Sequence, residues 1–138
     1  MLLVPARLGP SKIHGLGLIA QAHIPRLTPV WRFQPGFDLI IPEGAFERLS
    51  PTSQKQLLNY ATFDVHDRVF VLGSDDDRFT NHSDDPAIRW GGDDLIAVRD
   101  IELGAEITCD YRDMGWTEFL GGPPGLEPVF ITKQNRSQ

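Results

Sequence analysis

The sequence has a single cysteine, Cys109, among 138 residues. One thiol excludes an internal disulfide framework and any zinc site built from several cysteines. No apolar run approaches the roughly eighteen residues of a membrane span. The opening residues Met-Leu-Leu-Val-Pro-Ala-Arg place no charge ahead of an apolar stretch, so they do not read as a secretory signal. A reducing, cytoplasmic setting is the expectation. A basic surplus is also missing, because 13 Lys and Arg stand against 19 Asp and Glu, a net charge of −6. Direct binding of nucleic acid calls for the opposite balance. Long unbroken segments are scarce too, since 13 Gly and 11 Pro punctuate the chain. That composition favours short strands and turns over long helices.

What is present suits one domain with one core. Apolar residues make up 41% and charged residues 23%, a globular composition. The acidity is localised. Residues 1–63 hold six Lys/Arg and three Asp/Glu, residues 64–113 hold five and fourteen, and residues 114–138 hold two and two. A basic protein or peptide is the natural partner for that central block.

Coarse patterning predicts strands over Leu2–Leu8, Leu16–Ala20, Val30–Phe33 and Val69–Leu72. Pro42–Leu49 suits a short helix. Ser50-Pro51 reads as an N-cap followed by proline in the first turn, opening a second helix to about Tyr60. Asp75–Pro86 is polar, with neither a strand nor a helix period. Ile88–Trp90 and Leu95–Val98 flank a Gly-Gly-Asp-Asp turn, a hairpin signal. Glu102–Glu106 turns into a short strand, Ile107–Cys109. The whole reads as a small, mostly β domain over residues 1–120 with a short helical insert. Residues 121–138 read as a Gly/Pro-rich C-terminal tail.

Individually, the candidate chemistries are weak. Asp75-Asp76-Asp77 fails the calcium-loop pattern, because Phe79 and Thr80 fall where a ligand and a glycine belong. No metal site is expected. His82-Ser83 lacks the Gly-x-Ser-x-Gly elbow of a hydrolase. His14-Gly15-Leu16-Gly17 lacks the third glycine and the following helix of a dinucleotide fingerprint.

Three segments taken together say more. They are Lys12-Ile-His-Gly-Leu-Gly-Leu-Ile-Ala20, Arg78-Phe-Thr-Asn-His-Ser-Asp-Asp-Pro86 and Glu102-Leu-Gly-Ala-Glu-Ile-Thr-Cys-Asp-Tyr111. In this order and spacing the chain resembles the SET-domain protein-lysine N-methyltransferases, over roughly residues 4–116. The resemblance implies a β-clip-like fold of small curved β-sheets. In it, the Asn-His segment threads past the Asp-Tyr motif as a pseudoknot. It also implies S-adenosylmethionine (SAM) as cofactor. By the same resemblance, His14, Gly15, Leu16 and Gly17 match the turn at the methionine end of SAM. Asn81 and His82 match the pair that touches the cofactor, and Tyr111 matches the tyrosine at the methyl-transfer site. Tyr60, Phe79 and Cys109 are candidates for the substrate channel, although Tyr60 suits the core equally well. Trp116 is a candidate for closing the site over the adenine or the channel mouth, with packing of the tail as the alternative.

The chemistry explains these residue types. A lysine amine, with a reference pKa of about 10.4, is neutral in only about one molecule in 2,500 at pH 7. An apolar channel disfavours the ammonium, whereas a carboxylate beside the amine stabilises it. Acidic residues are therefore expected on the rim, with aromatic residues lining the channel. Two departures from the family stand out. Ala87 occupies a position where many members have asparagine, and Cys109 one where an aromatic is frequent. Ala87, together with the presence of only 2 tyrosines, keeps open an alternative, a catalytically inactive SET-like module that binds basic peptides.

Overall fold

The structure is a computed structural model, and it describes residues 1–114. The predicted tail and Trp116 lie outside the described residues.

Among the described residues, ten short strands form three small sheets. The first sheet holds β1 (Ala6–Pro10), β2 (Leu16–Ala20), β10 (Glu106–Cys109) and β7 (Asn81–His82), in that spatial order. β1 and β2 are a hairpin with Ala6 opposite Ala20 and Pro10 opposite Leu16. β10 runs antiparallel to β2 and parallel to β7, pairing Thr108 with Asn81 and Cys109 with His82. The second sheet is β3 (Pro29–Arg32), β9 (Asp94–Ala97) and β8 (Ile88–Gly91). The third is β4 (Leu39–Pro42), β6 (Val69–Leu72) and β5 (Thr62–Asp64). Between β4 and β5 lie two helices, α1 (Glu43–Phe46) and α2 (Pro51–Tyr60).

The expected mostly β architecture with a helical insert is the one observed. Ser50 caps α2, its Oγ accepting from the Ser53 N–H at 3.2 Å, and Pro51 occupies the first turn. The helix buries Leu57 and Leu58. Phe70 of β6 packs between Phe46 and Phe63, with ring centroids 5.1 and 5.0 Å away. These aromatics join Leu18, Val30, Ala97 and Ile107 in one core. Burial of this kind is the main driving force for a domain of this size.

Three local expectations are corrected. The first strand begins at Ala6 rather than Leu2, because β2 offers partners only from Ala6 onward. Asp75–Pro86 is not featureless: it holds a 3-10 turn at Asp76–Phe79 and the two-residue β7. Neither has a local period, and β7 exists because β10 supplies its ladder. The short strands β4 and β5 were not expected. Leu39 and Ile40 are more than half exposed, so no alternating buried face marks β4 in the sequence.

Candidate active site

The first part of the site is the turn between β1 and β2. The Ser11 hydroxyl accepts from the Ile13 and His14 N–H groups at 2.9 and 3.2 Å. The Ser11 N–H donates to the Gly15 carbonyl at 2.8 Å. Gly15 has φ +53°, a conformation that side-chain-bearing residues seldom adopt, and open space surrounds its missing Cβ. Gly17 is the converse case, since a Cβ there would overlap the Glu106 carboxylate. Both carboxylate oxygens of Glu106 are buried without a hydrogen-bond partner among the described residues.

The second part is the Asn-His segment. The Asn81 side-chain amide donates to the carbonyls of His14 and Leu16, both at 3.0 Å. It thereby fixes both sides of Gly15. His82 is 2% exposed. Its Nδ1 accepts the Tyr111 backbone N–H at 3.0 Å, so the ring proton sits on Nε2, which faces Asp84 Oδ1 at 3.0 Å. Downstream, the Ser83 N–H donates to the Cys109 carbonyl at 2.9 Å. The Ala87 N–H reaches both the carbonyl and the hydroxyl of Thr108, at 3.0 and 3.1 Å. The segment is thus tied to β10 along its length, even without an asparagine at position 87.

The third part is Asp110-Tyr111. Burial pushes the Asp110 carboxyl up, but hydrogen bonds from Arg112 hold it below its ordinary value. Arg89 and His82 stand 3.5 and 3.7 Å away. Tyr111 is buried, and its hydroxyl donates to the Thr80 carbonyl at 3.1 Å. Burial, with the nearby Cys109 and Glu106, pushes its phenol above the ordinary value. It is therefore a hydrogen-bond donor and not a base at any working pH.

Tyr111 lines a cavity of about 60 Å³ together with Tyr60, Thr80 and Cys109. Behind it lies an open groove of about 660 Å³ floored by Phe33 and Phe63 and edged by Asp64, Asp67 and Asp93. Trp31, Thr62, Val71, Trp90 and Met114 line both spaces, so groove and cavity share a wall.

This arrangement is matched elsewhere. The sequence profile of the SET domain matches residues 15–112. The chain belongs to the SET-domain family. Its SET fold is also that of solved structures. A Plasmodium falciparum protein assigned as a histone methyltransferase superposes with a TM-score of 0.54 at 18% identity, covering 80% of this chain and 95% of that one. The Neurospora SET-domain protein DIM-5, a histone lysine methyltransferase, gives 0.57 at 25% identity, covering 80% of this chain. The match spans 53% of DIM-5, about half its length. No protein of curated function matches the chain.

Within this SET domain, His14, Gly15, Leu16, Gly17, Asn81, His82 and Tyr111 are brought together through β2, β7 and β10. Tyr60 and Cys109 line the cavity, whereas Phe79 is one ring removed, its ring tilted against Tyr60 with centroids 5.4 Å apart. The expectation that acids keep to the rim is corrected at Asp77, which is among the residues lining the cavity. Sequence reasoning passed over Glu106, whereas Trp31 was a candidate wall and lines the cavity, its indole N–H buried without a hydrogen-bond partner among the described residues. The overlooked signal was glycine spacing: Gly17 faces Glu106, and Gly73 faces Asp77.

Proposed function

We propose that this SET domain transfers a methyl group from SAM to the side-chain amine of a lysine in a basic protein segment. The observation that carries the reading is the pair of hydrogen bonds from Asn81 to the His14 and Leu16 carbonyls. They join the glycine turn to the strand that sits beside Tyr111. The residues present suit the cofactor. The turn offers open backbone at Gly15, and Asn81 and His82 are locked next to it. Once bound there, SAM supplies an electrophilic methyl on a sulfonium.

The chain's own residues do the rest. His14 to Gly17 and Asn81 hold the cofactor, with His82 fixing the backbone around Tyr111. The apolar wall of Trp31, Val71 and Met114 excludes water, which lowers the cost of a neutral amine. The Tyr111 hydroxyl, protonated throughout, orients groups at the transfer point. Asp64, Asp67 and Asp93 on the groove edge attract a basic segment, an effect that salt weakens. By contrast, Asp84, Asp85, Asp110 and Asp113 are paired with Arg89, Arg99 or Arg112, which removes them from that role.

Calorimetry with SAM tests the cofactor assignment. Binding in the micromolar range is expected, weakened at least tenfold by Asn81→Ala. No heat of binding with millimolar SAM or S-adenosylhomocysteine would end the reading.

A further inference from the structure

The open groove that shares a wall with the cavity presents a large aromatic ring to solvent. Trp90, on β8, lines both spaces and is 41% exposed. Two contacts set its position. The indole N–H donates to the Asp113 carbonyl at 3.0 Å, and Trp31 meets the ring edge-on, with centroids 6.2 Å apart and planes at 77°. The ring is therefore fixed before a partner arrives, and receiving one costs little ordering.

The charge beside that ring is negative. Asp93 lies three residues beyond Trp90 in the Gly91-Gly92 turn, also lines the groove and is exposed. Its neighbour Asp94 is held by Arg32 at 2.6 and 2.9 Å, whereas Asp93 has no ion pair among the described residues. Asp64, at the end of β5, is exposed as well. It accepts the His66 and Asp67 N–H groups through Oδ1 and has no ion pair among the described residues. Arg112 lines the groove too, but its guanidinium is bound by Asp84 and Asp110. On the floor, Phe63 already carries a cation, with the Arg68 guanidinium 5.0 Å from its ring centroid.

Resting on the lysine reading above, we propose that this groove is an arginine subsite, in which a substrate guanidinium lies on Trp90 and pairs with Asp93. Arginine fits better than a second lysine. Its guanidinium is planar and weakly hydrated, so it stacks on an indole while its edge still donates to a carboxylate. A lysine ammonium is compact and strongly hydrated, and loses more on leaving water. A purely apolar side chain would leave Asp93 and Asp64 unanswered. The position of the arginine follows from the shared wall of Trp31 and Trp90. Side chains that enter neighbouring recesses from one extended segment lie on the same face, two residues apart, roughly 6.6 Å. The arginine therefore stands two residues from the lysine that is methylated.

The test uses short fluorescein-labelled peptides with one lysine and a single arginine moved through the positions on either side of it. Anisotropy reads binding without methyl transfer, and initial rates with labelled SAM give kcat and KM. Arginine two residues from the lysine should bind best. Replacing it with citrulline, its neutral isostere, should weaken binding and raise KM about tenfold, with kcat little changed. Asp93→Asn should weaken the arginine peptide by a similar factor and the citrulline peptide by less than about twofold. Trp90→Ala should remove the preference and Trp90→Phe restore part of it. Asp93→Asn alters an exposed side chain, so it carries the test even where Trp90→Ala does not fold. Equal binding of arginine and citrulline peptides, or a leucine peptide binding as tightly, would overturn the arginine subsite and leave methyl transfer standing. Arginine-dependent binding with no label in any peptide would overturn methyl transfer and leave the subsite standing.

Discussion

The backbone N–H of Tyr111 donates to Nδ1 of His82, 3.0 Å away, and the two rings lie 5.3 Å apart. The imidazole is therefore a strut that sets the exit of the chain from β10, and both of its nitrogens are engaged within the protein. His82→Ala leaves a buried N–H without an acceptor and opens a cavity. It should lower stability by about 3 kcal/mol in urea unfolding. A loss below about 0.5 kcal/mol, the level of an ordinary surface change, would contradict the strut.

Asn81 is a donor to two carbonyls, so charge and donor count can be separated. Asn81→Asp keeps the shape but turns an acceptor toward the His14 and Leu16 carbonyls. It should weaken SAM binding more than Asn81→Ala does, read by calorimetry. Equal affinities for the two variants would mean that the amide bonds do not shape the turn.

Gly17 and Glu106 are in contact across β2 and β10. Gly17→Ala forces the carboxylate aside and should cost about 1–3 kcal/mol. Glu106→Ala creates the missing room, so the double variant should be less unstable than the two losses added. Additivity within about 0.5 kcal/mol would show that the overlap does not govern the site.

Much of this was legible in the sequence, and what was missed has physical reasons. β2, β6 and α2 carry local signals: an apolar run, a terminating glycine, and the Ser50-Pro51 cap. The three motifs announced the family because their residue types answer to backbone demands at fixed spacing. β7 was illegible because a two-residue strand is defined only by its partner. Asp77 was read as solvated acid. Sequence shows charge but not the burial that makes this one carboxyl hold its proton. The groove floor, from Phe33 and Phe63, depends on how separate sheets meet.

Burial raises the Asp77 carboxyl to about 8, while in the unfolded chain it ionises near 3.9. Between these values the folded protein keeps a proton that the unfolded chain has lost. Stability should therefore fall as pH rises from about 4 to 8 and level off above, by up to a few kcal/mol. Asp75, held below its ordinary value, works the opposite way only at the acid end. Thermal melts from pH 4.5 to 8.5 should show this slope in the wild-type chain and not in Asp77→Asn, which should be the more stable at pH 8. The same slope in both would contradict the buried acid.

The central claim is methyl transfer to lysine, and its most direct measurement follows the methyl itself. The chain is incubated with methyl-labelled SAM and mixed basic proteins, and the acid-hydrolysed products are separated. The account predicts label in methylated lysine, strongly reduced by Tyr111→Phe with SAM affinity nearly unchanged. Binding of SAM and of basic proteins without any labelled lysine would contradict it and leave a peptide-binding module in its place.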